Sequence, residues 1–167
     1  MAMGDGRFRM ITGNAEEAGE VRMQCGAVCW RRNGGEVEVL LITSRDTGRW
    51  VIPKGGRIAG LDDPASAAQE AWEEAGIRGA VGARALGRFT YRKLAKNAGS
   101  IACEVVVFPL EVDEMLDTFP ERGQRKRKWF SPDKAALKVA EPELREILGR
   151  FDPVADAPSD ELPLQGR

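Results

Sequence analysis

Glu70, Glu73 and Glu74 stand in the run Gln69-Glu70-Ala71-Trp72-Glu73-Glu74-Ala75-Gly76-Ile77. On a helix these acids fall at i, i+3 and i+4 and share one face, where like charges cost about 0.2–0.5 kcal/mol per pair. A cation held between them offsets that repulsion. Hard divalent ions such as Mg²⁺ take oxygen ligands, keep several waters and usually share their shell with substrate phosphates. The spacing therefore points to metal-assisted phosphate chemistry, against the plainer reading of a solvated acidic helix face.

The residues just upstream favour the first reading. Arg49-Trp50-Val51-Ile52-Pro53 reads as a short apolar strand. Lys54-Gly55-Gly56-Arg57 follows as a flexible basic loop, in which glycine lets backbone approach a ligand and Lys and Arg can pair with phosphate. Asp62-Asp63-Pro64 is a helix start with an Asp cap and an early proline. The helix expected over 64–75 is rich in strong helix formers and stops at Gly76. A solvated face explains three acids but not a basic, glycine-rich loop at a set distance before them.

From Gly55 to Ile77 the chain resembles the Nudix box: Gly, five residues, Glu, seven residues, then Arg-Glu-U-x-Glu-Glu-x-Gly-U, with U aliphatic. Gly55, Glu70, Ala71, Glu73, Glu74, Gly76 and Ile77 match with every spacing kept. Leu61 stands where the first glutamate belongs and Gln69 where the arginine belongs. The resemblance extends over roughly residues 20–150: Met23 to Val28 is similar to the first strand of these domains, and Val39 to Ile42 with Trp50 to Gly55 to the strands leading into the box. Lys126-Arg127-Lys128-Trp129-Phe130 resembles the late Trp-Phe strand of the diphosphoinositol polyphosphate and diadenosine polyphosphate branch.

The resemblance implies an α/β (α+β) fold, an α/β/α sandwich with a mixed sheet between helices. It implies metal binding and catalysis by Glu70, Glu73 and Glu74, with the Lys54 backbone carbonyl as a further ligand. The cofactor would be Mg²⁺, with Mn²⁺ as a substitute. The family sometimes adds a carboxylate from outside the box; Glu121 is the first candidate here and Glu104 the second. The box arginine usually pairs with the glutamates and orients them. Gln69 brings no charge, so metal or another basic residue must relieve their repulsion. Leu61 removes a carboxylate usually peripheral to the metal.

Basic residues gather at Arg88, Arg92, Lys93 and Lys96, and again at Arg122, Arg125, Lys126, Arg127 and Lys128. Read blandly they are solvated faces, balanced overall by acids, since net charge is −1. Read functionally they are arms closing on a polyanion. Lys54, Gly55, Gly56, Arg57, Arg92, Lys93, Arg125 and Arg127 are then the substrate-binding candidates. Branch resemblance favours a diphosphoinositol polyphosphate; diadenosine polyphosphates and nucleoside diphosphate derivatives are the close alternatives. A domain that binds nucleotide without hydrolysis is a further reading, which the departures at Leu61 and Gln69 favour and the three retained acids oppose. A nucleic-acid surface at 122–128 is another, and predicts affinity that falls steeply with salt; no stable complex of that kind is expected.

The chain has 167 residues, 43% of them hydrophobic and 31% charged, which suits one globular domain over 21–151 with a flexible segment at 1–20 and a disordered tail at 152–167. It holds no apolar run of 18 residues and no apolar leader, so neither a membrane span nor export is expected. Three cysteines argue against a disulfide framework and for a reducing cytoplasm. Cys25 and Cys29 share a face of an apparent strand and are expected to be buried. There is no histidine, which removes Ser-His-Asp, Cys-His and histidine–zinc schemes and leaves acid–base work to carboxylates, Lys, Tyr91 or metal-bound water.

The hairpin expected over Arg22–Arg32 and Glu36–Arg45 turns at Asn33-Gly34-Gly35. Its second strand becomes apolar on both faces, as a strand covered by helices must. A single long strand is expected over 80–94, a central strand over Ile101–Val112 and a short one over Arg127–Phe130. Helices are expected after the Ser131 cap and from Pro142 to near Gly149.

Overall fold

The computed structural model describes residues 20–95 and 99–155. The expectations for 1–19, for the loop tip at 96–98 with Lys96, and for 156–167 lie outside the described residues.

The turn at Gly34-Gly35 joins β1 (Arg22–Asn33) to β2 (Glu36–Thr43) in antiparallel register, Trp30 opposite Val39 and Asn33 opposite Glu36. Val39, Leu40, Leu41 and Ile42 are all fully buried, because β2 is covered on both faces. The apolar segment Trp50-Val51 makes a two-residue strand, β3, on the outer edge of β2. Lys54-Gly55-Gly56, expected as a loop, is a short strand, β4 (Lys54–Gly56), because it completes the edge of β1: Gly26 faces Lys54 and Cys25 faces Gly55.

The helix α1 (Asp63–Ala75) begins where expected, with Asp62 Oδ1 accepting from the Ala65 N–H at 2.9 Å. It ends at Gly76, whose φ of 68° is left-handed and where a Cβ would strike the Phe119 ring. The long strand expected over 80–94 is two strands, β5 (Ile77–Val81) and β6 (Gly87–Ala95). Both pair antiparallel with β7 (Gly99–Met115), at opposite ends of it. The break falls opposite Pro109, which has no N–H to give a ladder; the Gly82 N–H instead takes the Pro109 carbonyl at 2.8 Å.

β7 runs parallel to β1, Cys25 beside Val106, and its 103–107 stretch carries the buried Val105, Val106 and Val107. With β8 (Arg127–Phe130) on β2, the sheet has eight strands in the order β3-β2-β1-β7-β5, with β4, β6 and β8 branching from β1, β7 and β2. Ser131 Oγ accepts from the Lys134 N–H to start α2 (Pro132–Lys138), and α3 (Pro142–Gly149) follows. Phe151, just after α3, meets Trp30 edge-on at 6.2 Å between centroids. Cys25, of opposite parity on β1, lies beside Asp63 of α1. Helices thus cover both faces of a mixed sheet, as the resemblance implies.

Among the described residues no helix is long and apolar enough to cross a membrane. All three cysteines are free and buried. Burial pushes the Cys29 thiol up to about 12, and burial together with Asp63 pushes Cys25 up to about 11, so both are protonated packing residues.

Candidate active site

A cavity of about 500 Å³ opens between β4, α1, β6 and the end of β2. Lys54, Gly55, Gly56, Glu70, Glu74, Arg92, Lys93 and Arg125 line it together, so eight residues singled out in the sequence converge on one space. That volume suits a small polyphosphate.

The acids are arranged by the strand before them. Glu74 Oε1 accepts from the Lys54 N–H at 3.2 Å, which pins the end of α1 to β4. Glu70 lies directly over Gly55; a Cβ there would overlap its carboxyl group and push it aside. Glu73 does not line the cavity, and its Oε2 accepts from Gln69 Nε2 at 2.9 Å. Burial, then repulsion from Glu74, Glu73 and Glu121, pushes Glu70 up to about 7. Burial also raises Glu74, opposed by Arg125 and the Lys54 N–H. Lys54 is lowered by burial, and its ammonium sits 4.5 Å from the centre of the Tyr91 ring. Tyr91 in turn donates to Gln24 Oε1 at 2.8 Å.

The loop between β7 and β8 closes the far end of α1. Leu116 N–H donates to the Gly76 carbonyl at 2.7 Å, and Glu121 N–H to the Glu73 carbonyl at 3.0 Å. This brings the Glu121 carboxylate into the field of Glu70 and Glu74, although Glu121 does not line the cavity. Arg125 joins the two groups: Nη2 is 3.4 Å from Glu74 Oε2 and Nε donates to Glu121 Oε1 at 3.0 Å. Glu104 instead pairs with exposed Arg88 at 3.4 Å and does not line the cavity.

Two basic candidates lie elsewhere. Arg127 points inward and donates through Nη1 to the carbonyls of Ala75 and Leu116, at 2.9 and 3.0 Å, so it caps α1 rather than meeting substrate. It does so because α1 has no basic residue in its own last turn. Arg57 is held by Asp63 through two hydrogen bonds of 3.0 and 3.1 Å at the helix start. Arg122, Lys126 and Lys128 are exposed while Arg125 and Arg127 turn in, so 122–128 is no continuous basic face.

Further wall residues were not singled out by sequence: Arg45, Arg49, Trp50, Gln24 and Glu141. Glu141 Oε1 is buried and has no hydrogen-bond partner among the described residues. It precedes Pro142 at the start of α3, and its only sequence signal was that of a helix boundary.

Among the described residues no three His, Cys, Asp or Glu side chains stand together as a ready ligand set. Glu74 is turned to Arg125 and the Lys54 N–H, and Glu73 to Gln69. The donor chemistry nevertheless suits a hard cation. The groups are carboxylates, the Cys25 thiol is protonated, and burial together with the neighbouring acids raises Glu70.

The NUDIX domain model matches residues 22–151. Nudix hydrolase 21, chloroplastic, of Arabidopsis thaliana is 32% identical over 134 residues, covering 78% of this chain and 66% of that protein. Diphosphoinositol polyphosphate phosphohydrolase 3-alpha of Mus musculus is 31% identical over 120 residues, covering 71% and 68%. The chain thus spans about two thirds of the length of these relatives. A solved C. elegans Ap4A hydrolase binary complex superposes with a TM-score of 0.57 at 24% identity, over 77% of this chain and 93% of that one. That likeness is one of fold.

Proposed function

Because the chain belongs to the Nudix hydrolase family, we propose that it hydrolyses a diphosphate linkage in a highly phosphorylated substrate, with Mg²⁺ as cofactor and a diphosphoinositol polyphosphate as first substrate. The observation that carries this reading is the convergence of Glu70 and Glu74 with Lys54, Arg92, Lys93, Arg45 and Arg49 around one cavity. The similarity to the mouse phosphohydrolase supports the substrate class. Three free, buried cysteines favour a reducing compartment such as the cytoplasm.

Glu70, Glu73, Glu74 and the Lys54 carbonyl are the groups that would hold the metal, with Glu121 as an added carboxylate. A divalent cation bound there supplies Lewis acidity toward phosphoryl oxygens and lowers the pKa of coordinated water. The chain supplies the rest. Lys93, Arg92 and Arg49 bind and orient phosphates on the open side of the cavity. One of the acids of this cluster would take the proton from the attacking water, and Glu70, which faces the cavity over Gly55, is the best placed of them. Lys54, buried against Tyr91, offers positive charge to the departing phosphate.

One observation favours a second substrate class. The unpartnered Glu141 Oε1 on the cavity wall needs a hydrogen-bond donor. A nucleobase offers N–H groups, whereas a fully phosphorylated inositol offers mainly acceptors and negative charge. Diadenosine polyphosphates and nucleoside diphosphate derivatives are therefore the alternative.

Phosphate release with Mg²⁺, measured across the three classes, tests both readings. A kcat/KM at least tenfold higher on diphosphoinositol polyphosphates supports the first. A preference for nucleotides that disappears in Glu141→Ala supports the second. Tight binding with no turnover of any class overturns both and leaves a binding domain.

A further inference from the structure

We propose that Arg125 is a positioning residue that replaces the absent box arginine, reaching the carboxylate cluster from the loop before β8 rather than from α1. The proposal rests on the reading of Glu70, Glu73 and Glu74 as the metal-holding acids. Three observations lead to it.

The box position on α1 holds Gln69, a neutral side chain that satisfies Glu73 and leaves the cluster without a cation of its own. Every nitrogen of the Arg125 guanidinium is used toward this cluster or its frame. Nη2 faces Glu74 Oε2 at 3.4 Å, Nε donates to Glu121 Oε1 at 3.0 Å, and Nη1 donates to the Thr43 carbonyl at 3.2 Å. The side chain is 9% exposed, so its charge is little screened.

The third observation is the rigidity of the mount. Lys126, next to Arg125, donates its N–H to Thr43 Oγ1 at 2.9 Å, and Thr43 N–H donates to the Lys126 carbonyl at 3.1 Å. Glu121 N–H fixes the other end of the loop to α1. A guanidinium is planar and can grip two carboxylates at once. Held this way, Arg125 sets the angle of Glu74 and keeps Glu121 beside it. Position 69 reaches Glu73, so an arginine there would bring positive charge to the same cluster through a different acid.

A cycle of Arg125→Gln, Gln69→Arg and the double variant tests this, with Arg125→Lys beside them. The first readout is melting temperature in chelator, where neither metal nor substrate contributes. Arg125→Gln should lower it by roughly 4 °C or more. Gln69→Arg should recover most of that loss, and should raise the melting temperature more in the Arg125→Gln background than in the wild type. The second readout is kinetic: kcat falls about 10–100-fold in Arg125→Gln with KM changed much less, and Gln69→Arg restores at least tenfold of it. Arg125→Lys keeps the charge without the fork and should fall between. Equal effects of Gln69→Arg in both backgrounds would overturn the proposal. So would a rise in KM with kcat unchanged, which marks a substrate-phosphate contact. If the wild type cleaves no diphosphate, the functional reading fails, yet the cycle in chelator still decides the role of Arg125.

Discussion

Two successive turns of the box helix meet different surroundings. At its C-terminal end, Gly76, Phe119, Leu116 and Arg127 form a closed bracket in which the cation and the carbonyls it faces are paired. One turn earlier, Glu70 faces a cavity with its carboxyl pushed up to about 7 by burial and three neighbouring acids. The bracket is finished by the chain itself, whereas the cavity is left with a charge imbalance that a cation would correct. Two basic stretches that look alike in sequence divide along the same line. Arg92, Lys93 and Arg125 line the cavity, Arg125 bound to its acids, while Arg127 is consumed by the bracket.

If that division holds, substituting the acids proposed to hold the metal should change turnover and leave stability nearly alone. The largest effect is expected for Glu74→Gln, or Glu73→Gln: loss of about a thousandfold in kcat, corresponding to several kcal/mol of transition-state stabilisation, with an unchanged circular dichroism spectrum. Near-normal turnover in both would remove the box helix's claim to the chemistry. Adjacent glycines sharpen the point. Gly55→Ala forces Glu70 aside and should cost about 10–100-fold in kcat, while a Cβ on Gly56 meets nothing within 4 Å and should cost far less. Equal losses at the two positions would mean that loop flexibility, not the seat of Glu70, is what glycine provides.

The bracket should respond in the opposite way. Arg127→Ala removes two charge-assisted hydrogen bonds to carbonyls and is expected to cost about 2–4 kcal/mol, or roughly 5–15 °C in melting temperature. Its KM at low temperature should stay close to that of the wild type. A KM raised tenfold with stability intact would return Arg127 to the substrate side.

How much of this was visible beforehand depends on how local the cause is. The β1–β2 turn at Gly34-Gly35, the Asp62 cap and the Gly76 stop are each decided within a few residues, and the sequence showed all three. The division of 80–94 into β5 and β6 depends on Pro109 lying opposite the break, a pairing no local pattern displays. The same is true within the site. Glu70 and Glu74 were legible from helical spacing, but the partners of Arg125 and Arg127 are set by a loop that folds back onto α1. Alternation along 125–128 turns two of four cations inward, and composition alone reads them as one patch. Glu141 carries an ordinary helix-start signal and gains interest only because the cavity reaches it.

A smaller effect follows from protons. Glu70 holds its proton to about pH 7 in the folded chain, against an ordinary value of 4.5. Between those values the native state binds the extra proton, so the Glu70 contribution favours folding at acidic pH and is lost as pH rises through 7. In chelator, Glu70→Gln should match the wild type near pH 4 and become the more stable of the two by pH 8. A stability gap independent of pH would show that Glu70 is not crowded by its neighbours.

Crystals soaked in Mn²⁺ and recorded at the manganese absorption edge give the most direct test. Anomalous peaks are expected at about 2.1 Å from carboxylate oxygens of Glu70 and Glu74, on the cavity side of Gly55. Fully loaded crystals with no peak there, or with manganese held only by other residues, would contradict a metal-centred site on this helix.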